Sequence, residues 1–519
     1  MTLFKDFAFK GEDDQSLYAI RRDLAGGINN RMSGTMIAEN EGEQMQNVDL
    51  GIPGKRQRMP GSVLIGNDIG NADPLALGNF VINGQTDQLL LAENTTLWKW
   101  EGSGNWASVK ADFSAMTECS LTFGKESGLA PDDIVLVAND AGDNVFRIDS
   151  GGAEQDLGDT NTSPLKTTVN AWYRNRFWGL KDSLLAFSDA YAADYSAAFD
   201  RTTNVYRVPV GEERALLPTR DLGLVCVGAE EIWAIAPSAT PVATDQPEPL
   251  LTGMGCVSKN GAVVAGDDIY FFAPDGLRAL KRTIQDKLQV GASYPLSYNL
   301  KTEFGNIVWA RISELSLEYF DNKIFCSVPV AAGFATWVYF LATNSFATYE
   351  GIHPRCWSKY KVGGEQRVYY GKDGDGTVYQ GWQGTTFEGT TDSNGTAIEY
   401  EEIGREEDLG QPLVYKSGGE LEVRVRASGA YTINVSAQFD NSGWNLLGTI
   451  NTAGNLVTFP IAFPVTFTDP NVVSEKFHID GYGRWRTCQV KLYNNETGSS
   501  EIIILEHSII SFAEEYQNE

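Results

Sequence analysis

The chain of 519 residues carries a formal charge of -27, with 68 Asp and Glu against 41 Lys and Arg. So acidic a surface repels nucleic-acid phosphates and anionic lipid, which argues against a sequence-specific DNA binder or a membrane-surface protein. With 42% hydrophobic residues, 11% aromatics and 53 glycines, the composition describes a folded, turn-dense β protein large enough for more than one domain.

Residues 1–61 read as an extended N-terminal arm with little core material of its own. Its start, Met1 to Phe7, lacks the positive beginning and apolar run of a signal peptide. The arm contains the turn-rich string Ala25-Gly26-Gly27-Ile28-Asn29-Asn30 and the acidic stretch Glu39 to Glu43. A basic cluster, Lys55, Arg56 and Arg58, precedes Pro60-Gly61. Against an acidic whole, these three cations predict a subunit or adaptor interface built on desolvated ion pairs, ahead of contacts to DNA phosphates.

Residues 62–390 repeat one theme: an apolar strand, a turn of Gly, Asn or Asp, and a second strand ending in an aromatic residue. Clear copies run from Gln88 to Trp100, Asp133 to Arg147, Gly223 to Ile235, Ala262 to Ala273 and Val368 to Gln380. Gly and Asn supply the positive φ that tight hairpins require. The aromatic markers Trp98, Phe146, Phe187, Trp233, Phe271, Trp337, Tyr339 and Tyr379 recur mostly at about 40–50 residues, the interval of propeller blades. The expected fold is therefore all-β, a β-propeller of six to eight blades, with a large irregular β-sandwich as the alternative. Pro237 to Gly253, with four prolines, reads as a loop. Leu280 to Phe304 falls outside the hairpin pattern and is expected to decorate one face of the disc.

Residues 391–411 read as an acidic linker, with Glu399, Glu401, Glu402, Glu406, Glu407 and Asp408 solvated around Arg405. Residues 412–519 carry long alternating strands, such as Leu421 to Arg426, Tyr431 to Phe439 and Thr487 to Tyr493. They predict an additional antiparallel β-sandwich or platform domain, partly merged with the first and last blades. No run approaches the roughly 18 apolar residues of a membrane span, so no anchor is expected.

Few residues suggest chemistry. The three histidines, His353, His478 and His507, stand in unrelated contexts, and His507 reads as half-exposed in an alternating strand. Six dispersed cysteines form no CxxC pair and suit reduced, buried thiols assembled in a cytoplasm. Asp373 and Asp375 sit in an Asp-Gly-Asp-Gly hairpin and read as exposed loop tips rather than a metal site, since the spacing is not that of an EF-hand. Neither metal nor cofactor is expected. Two carboxylates on different blades would make the chain a propeller glycosidase or lyase acting on polysaccharide, and this is the enzymatic alternative to a non-enzyme.

In order along the chain, Gly26, Gly27, Asn29, Asn30, Glu39 to Glu43, Asn47, Val48, Gly54, Arg56, Arg58, Pro60 and Gly61 resemble the N-terminal segment of a phage family. That family is the tail nozzle or tail-hub β-propeller protein of short-tailed bacteriophages. Asp275 to Leu280 is a further similar element, while Met59 stands where the family often has Arg. The resemblance implies a non-enzymatic virion tail protein, assembled in the host cytoplasm as a homohexameric ring below portal and adaptor. It further implies propellers set around a DNA channel and docking of tail fibres or a spike. Genomic DNA would pass without specific binding, which an acidic wall favours. A head-to-tail connector or neck protein of another tailed phage is the neighbouring alternative.

Overall fold

The computed structural model describes residues 16–513, apart from 22–24, 71, 84–85, 127–132, 239–240, 242–244, 292, 392–393, 428–429, 453–470 and 498–501. The predicted start at Met1 to Phe7 lies outside the described residues.

Six small antiparallel sheets stand in a ring, the arrangement of a β-propeller. Blade 1 is Pro74–Phe80, Gln88–Glu93, Thr96–Trp100 and Ala107–Lys110, and blade 2 is Cys119–Lys125, Asp133–Asn139, Phe146–Asp149 and Glu154–Asp156. Blade 3 is Asn170–Tyr173, Arg176–Lys181, Leu184–Phe187 and Val205–Arg207, and blade 4 is Glu213–Pro218, Leu224–Gly228, Glu231–Ile235 and Glu248–Thr252. Blade 5 has three strands, Ala262–Ala265, Asp268–Ala273 and Gly276–Ala279. Blade 7 joins Pro354–Val362, Glu365–Lys372 and Val378–Gly381 to the early strand Ser62–Ile65. Between blades 5 and 7, the strands Ser316–Phe320, Lys323–Val330, Gly333–Phe340 and Ser345–Tyr349 of a ten-stranded sheet fill the remaining sector as blade 6. The first strand of each blade packs beside the first strand of the next, and Pro354–Val362 returns to Pro74–Phe80.

The hairpins form for local reasons. Arg174-Asn175, Asp182-Ser183 and Asp321-Asn322 each place two successive residues at positive φ, the turn whose twist matches the strands it joins. The second strand of a blade is covered by neighbouring sheets on both faces. Leu89 to Ala92, Ile134 to Ala138 and Leu224 to Val227 are therefore apolar runs, buried throughout. Glycine lets adjacent sheets approach: a Cβ on Gly124 of blade 2 would lie 2.6 Å from ring atoms of both Trp172 and Phe177 in blade 3.

Three expectations are corrected. The arm is woven into sheets instead of lying over them. Its strand Glu41–Gln46 sits between Ser345–Tyr349 of blade 6 and Tyr400–Glu407, so blade 6 continues into Cys488–Asn494, Thr432–Phe439 and Trp444–Asn451 as one sheet. The acidic linker is thus partly strand, with Glu402 and Glu407 buried, because each meets a guanidinium from the arm. The proline-rich loop ends in the outer strand of blade 4, where Pro249 pairs opposite Trp233; an edge strand tolerates a residue without an N–H.

The helical insertion begins with Leu280–Val290 and continues through Leu296–Asn299, Lys301–Gly305 and Trp309–Glu314. It takes the place of a fourth strand in blade 5: Ser297 Oγ accepts from Leu277 N at 3.0 Å, and Arg278 donates to the Ser293 carbonyl at 2.9 Å. A seven-stranded sheet forms the other layer of the C-terminal sandwich. It contains Asn471–His478, Lys416–Ala427 and Ile502–Ala513, together with the arm strands Ser16–Arg21, Val48–Asp49 and Arg56–Arg58. Its apolar face, including Leu421, Val423, Val425 and Ile504, joins the core of blade 6 in one continuous cluster. Among the described residues, no helix is long and apolar enough to cross a membrane.

Candidate functional site

The basic cluster is used inside the chain. Arg56–Arg58 is a strand paired with Ile503 and Ile504, and its alternation turns Arg56 and Arg58 inward together. Arg56 donates to Glu402, whose other oxygen accepts from Tyr400 Oη at 2.7 Å. Arg58 is 2% exposed and donates to Asn494 Oδ1 at 3.3 Å and to the Glu496 carbonyl at 3.1 Å. Burial lowers the Arg58 guanidinium to about 10. The predicted interface role of Arg56 and Arg58 is therefore corrected: their charges are spent holding the arm to the sandwich and are not presented to a neighbour. Lys55 is half-buried on the preceding turn.

A second clasp lies beside the first. Arg21 grips Glu407 with two bonds of 2.6 and 2.7 Å. His507, expected to be half-exposed, is 4% exposed because its strand lies between the arm and Lys416–Ala427. Burial, reinforced by the Arg56 and Arg21 charges, holds its pKa well below 6.5 and keeps the ring neutral. Sequence reasoning missed Arg21, Glu402 and Glu407 as partners, since their pairs span 386 and 346 positions.

The other charged assembly is at the propeller axis, where the innermost strands begin. Arg355 in blade 7 meets Asp73 of blade 1 at 2.6 Å, Asp373 at 3.2 Å and Glu314, just before blade 6, at 3.5 Å. Arg311 lies 2.7 Å from Glu314 and 3.5 Å from Asp373. On the far side, Lys259 leaves the start of blade 5 to pair with Glu118 of blade 2 and to reach Thr168 Oγ1 of blade 3 at 3.0 Å. A side chain spanning from blade 5 to blade 2 crosses the axis, so this mouth is barred by ion pairs.

Asp373 and Asp375 are accordingly corrected from exposed tips to working acceptors. The Asp373 side chain is 17% exposed between Arg311 and Arg355. Asp375 accepts from Thr377 and lies 2.8 Å from Lys372, which also reaches Glu388 at 2.9 Å. Each of these carboxylates is thus engaged by a cation or hydroxyl of the same chain. Glu318, raised by burial, faces Lys359 at 3.1 Å. Among the described residues, no group of three His, Cys, Asp or Glu side chains is placed to hold a metal ion. All six cysteines are free and buried, and burial pushes the thiols up, to about 11 at Cys256 and about 12 at Cys119, Cys226 and Cys356.

No family model matches the chain, and no curated protein sequence matches it. Solved structures give distant likenesses. The extracellular domain of a hybrid two-component system from B. thetaiotaomicron aligns at 8% identity and TM-score 0.37, covering 62% of this chain and 40% of that one. PorZ, a surface component of the type-IX secretion system of Porphyromonas gingivalis, aligns at 9% identity and TM-score 0.36, covering 76% and 46%. An exo-β-1,3-galactanase from Phanerochaete chrysosporium aligns at 8% identity and TM-score 0.29, covering 87% and 99%. The chain spans less than half the length of the first two. At such scores these likenesses bear on neither activity nor partner.

Proposed function

We propose that this chain is a virion structural protein, the tail nozzle or hub of a short-tailed bacteriophage, working as a ring of copies around the exit path of the genome. The observation that carries the reading is that five residues of the resemblance, Gly27, Asn47, Arg56, Arg58 and Gly61, act as one device, the splice between propeller and sandwich. Asn47, at φ 57°, donates to the Glu399 carbonyl at 2.9 Å and accepts from Glu350 N at 2.9 Å, and its own carbonyl accepts from Met59 N at 2.8 Å. Gly27 has no room for a side chain against the Phe346 backbone, and Gly61 has none against Thr386. Arg56 and Arg58 complete the splice. A protein that must transmit force without shearing between its parts gains from such a splice.

Because Lys259 bars the axis of a single propeller, the DNA path in this reading runs between copies, along acidic walls that do not retain phosphates. Portal, adaptor and fibres or spike would dock on the outer surfaces, and the ion pairs at the axis serve rigidity rather than catalysis. Electron microscopy of the purified protein tests the reading. Rings with an open centre are the expected result. Isolated discs that cleave a polysaccharide would overturn it in favour of the glycosidase or lyase alternative.

A further inference from the structure

We infer that the helical insertion between blades 5 and 6 forms one half of a head-to-tail contact between copies of this chain, with the acidic strand ends of blades 2 and 3 as the other half. The inference rests on the ring-forming reading above and assigns it two surfaces.

Residues 280–311 hold five Lys and Arg against two Asp and Glu, within a chain of net charge -27. Lys281, Arg282 and Lys301 among them are exposed. The same insertion leaves large apolar side chains in solvent: Leu288 is 82% exposed, Tyr294 64% and Trp309 42%. Contacts join these features to the arm. The Arg31 guanidinium lies 3.6 Å over the Tyr298 ring, and the Tyr294 and Tyr298 rings meet at 4.8 Å. Asn30 donates to Glu303 at 2.8 Å, and next along the chain Phe304 packs on Trp309 at 5.6 Å. Met32, beside Arg31, is 50% exposed. Exposed Arg, Tyr, Trp and Met with few carboxylates is the composition of an interface centre, not of a solvated face.

The complementary charge lies on this same chain. Residues 101–200 hold sixteen Asp and Glu against seven Lys and Arg. Asp140, Asp156 and Asp182 are exposed there, at the ends of the blades where their first strands start. These residues belong to blades 2 and 3 and their connections, two to three sectors round the ring from the insertion, so a copy cannot satisfy its own patch. A cationic aromatic insertion and acidic strand ends in different sectors of one disc suit a heterologous contact, which forms a closed ring when the rotation allows. A DNA duplex would be repelled by the acidic remainder and offers no apolar surface to Leu288 and Met32.

Two variants of the full chain test the assignment. Arg31→Glu/Tyr294→Ser/Trp309→Ser blunts the insertion, and Asp156→Lys/Asp182→Lys reverses the acidic strand ends. All five side chains are exposed, and circular dichroism verifies folding. Light scattering should find the unaltered chain in rings, each variant alone at least tenfold weaker in self-association, and the mixture as a one-to-one dimer with a single sound contact. Rings that persist in either variant would overturn these surfaces and leave the ring reading standing. An unaltered chain that stays monomeric at every concentration and at low salt would overturn both. Loss of affinity for a short DNA duplex in the insertion variant, with self-association unchanged, would overturn the inference and reassign the patch to nucleic acid.

Discussion

Arg56 and Glu402, 346 positions apart in the chain, form an ion pair in which each side chain keeps 1% of its surface exposed. Tyr400 Oη shares the carboxylate, so the pair is also hydrogen-bonded at its second oxygen. Burying two charges is costly, and what makes it tolerable is that neither is left alone. Replacing Arg56 by Met should therefore cost about 3–5 kcal/mol, because Glu402 stays buried without its partner. The double change Arg56→Met/Glu402→Leu should recover most of that loss. Thermal and urea unfolding of the three variants would check it, and a single variant as stable as the parent would defeat the account.

The neutral imidazole of His507 makes stability depend on pH in a definite direction. Its folded pKa lies well below 6.5, while in the unfolded chain it returns to that ordinary value. Above about pH 6.5 both states are unprotonated and the group contributes no slope. Below it the unfolded chain takes up a proton that the folded chain refuses, so stability falls on acidification, by up to about 1.4 kcal/mol per pH unit. His507→Gln should lose less stability than the parent between pH 7 and about pH 5. Buried carboxylates such as Glu318 and Glu388, whose pKa values are raised, act alike in both proteins and cancel from the difference. Parallel pH profiles for the two proteins would exclude His507 as the source.

Blade stacking can be probed at Gly124. Alanine there would place its Cβ 2.6 Å from the rings of Trp172 and Phe177, which pack edge to face on each other with Phe177 2% exposed. Overpacking of this kind costs about 1–3 kcal/mol. Alanine at Gly104, a loop position with open space around it, should cost less despite its φ of 73°. Equal melting points for Gly124→Ala and the parent would mean that the blades are looser than their contacts imply.

The thiols offer a chemical readout of the same packing. All six are buried and those of Cys119, Cys226 and Cys356 are pushed up to about 12, so almost no thiolate is available near neutral pH. A disulfide reagent should label the folded protein slowly and all six positions promptly in guanidinium. Prompt labelling of two or more thiols without denaturant would contradict the closed ring.

The blades were legible because their signal is local. Doubly buried strands such as Ile134 to Ala138 are apolar runs, and the turns between strands carry Asn, Asp and Gly where φ is positive. The splice was not legible. Its strand, Glu41 to Gln46, shows neither alternation nor an apolar run, and it is held by main-chain pairing to residues some 300 to 360 positions away. Arg56 and Arg58 stood out for the right reason, charge contrast, but the sequence could not show that their strand turns both inward against Glu402 and Asn494. Glu407 looked solvated for the same reason, as Arg21 lies 386 positions before it. Lys259 gave no signal at all, since its role depends on ring closure bringing blades 2, 3 and 5 to one point.

Strand Ser62–Ile65 pairs with Val378–Gly381, and Ser16–Arg21 with Ile502–Ala513. The earlier strand of each pair thus waits for one made hundreds of positions later before it finds these hydrogen bonds. During synthesis the earlier strands remain open templates for pairing with other nascent chains, a hazard that grows with crowding on one messenger. A stop codon even shortly before Ile502 should therefore yield insoluble material instead of a shortened, working disc.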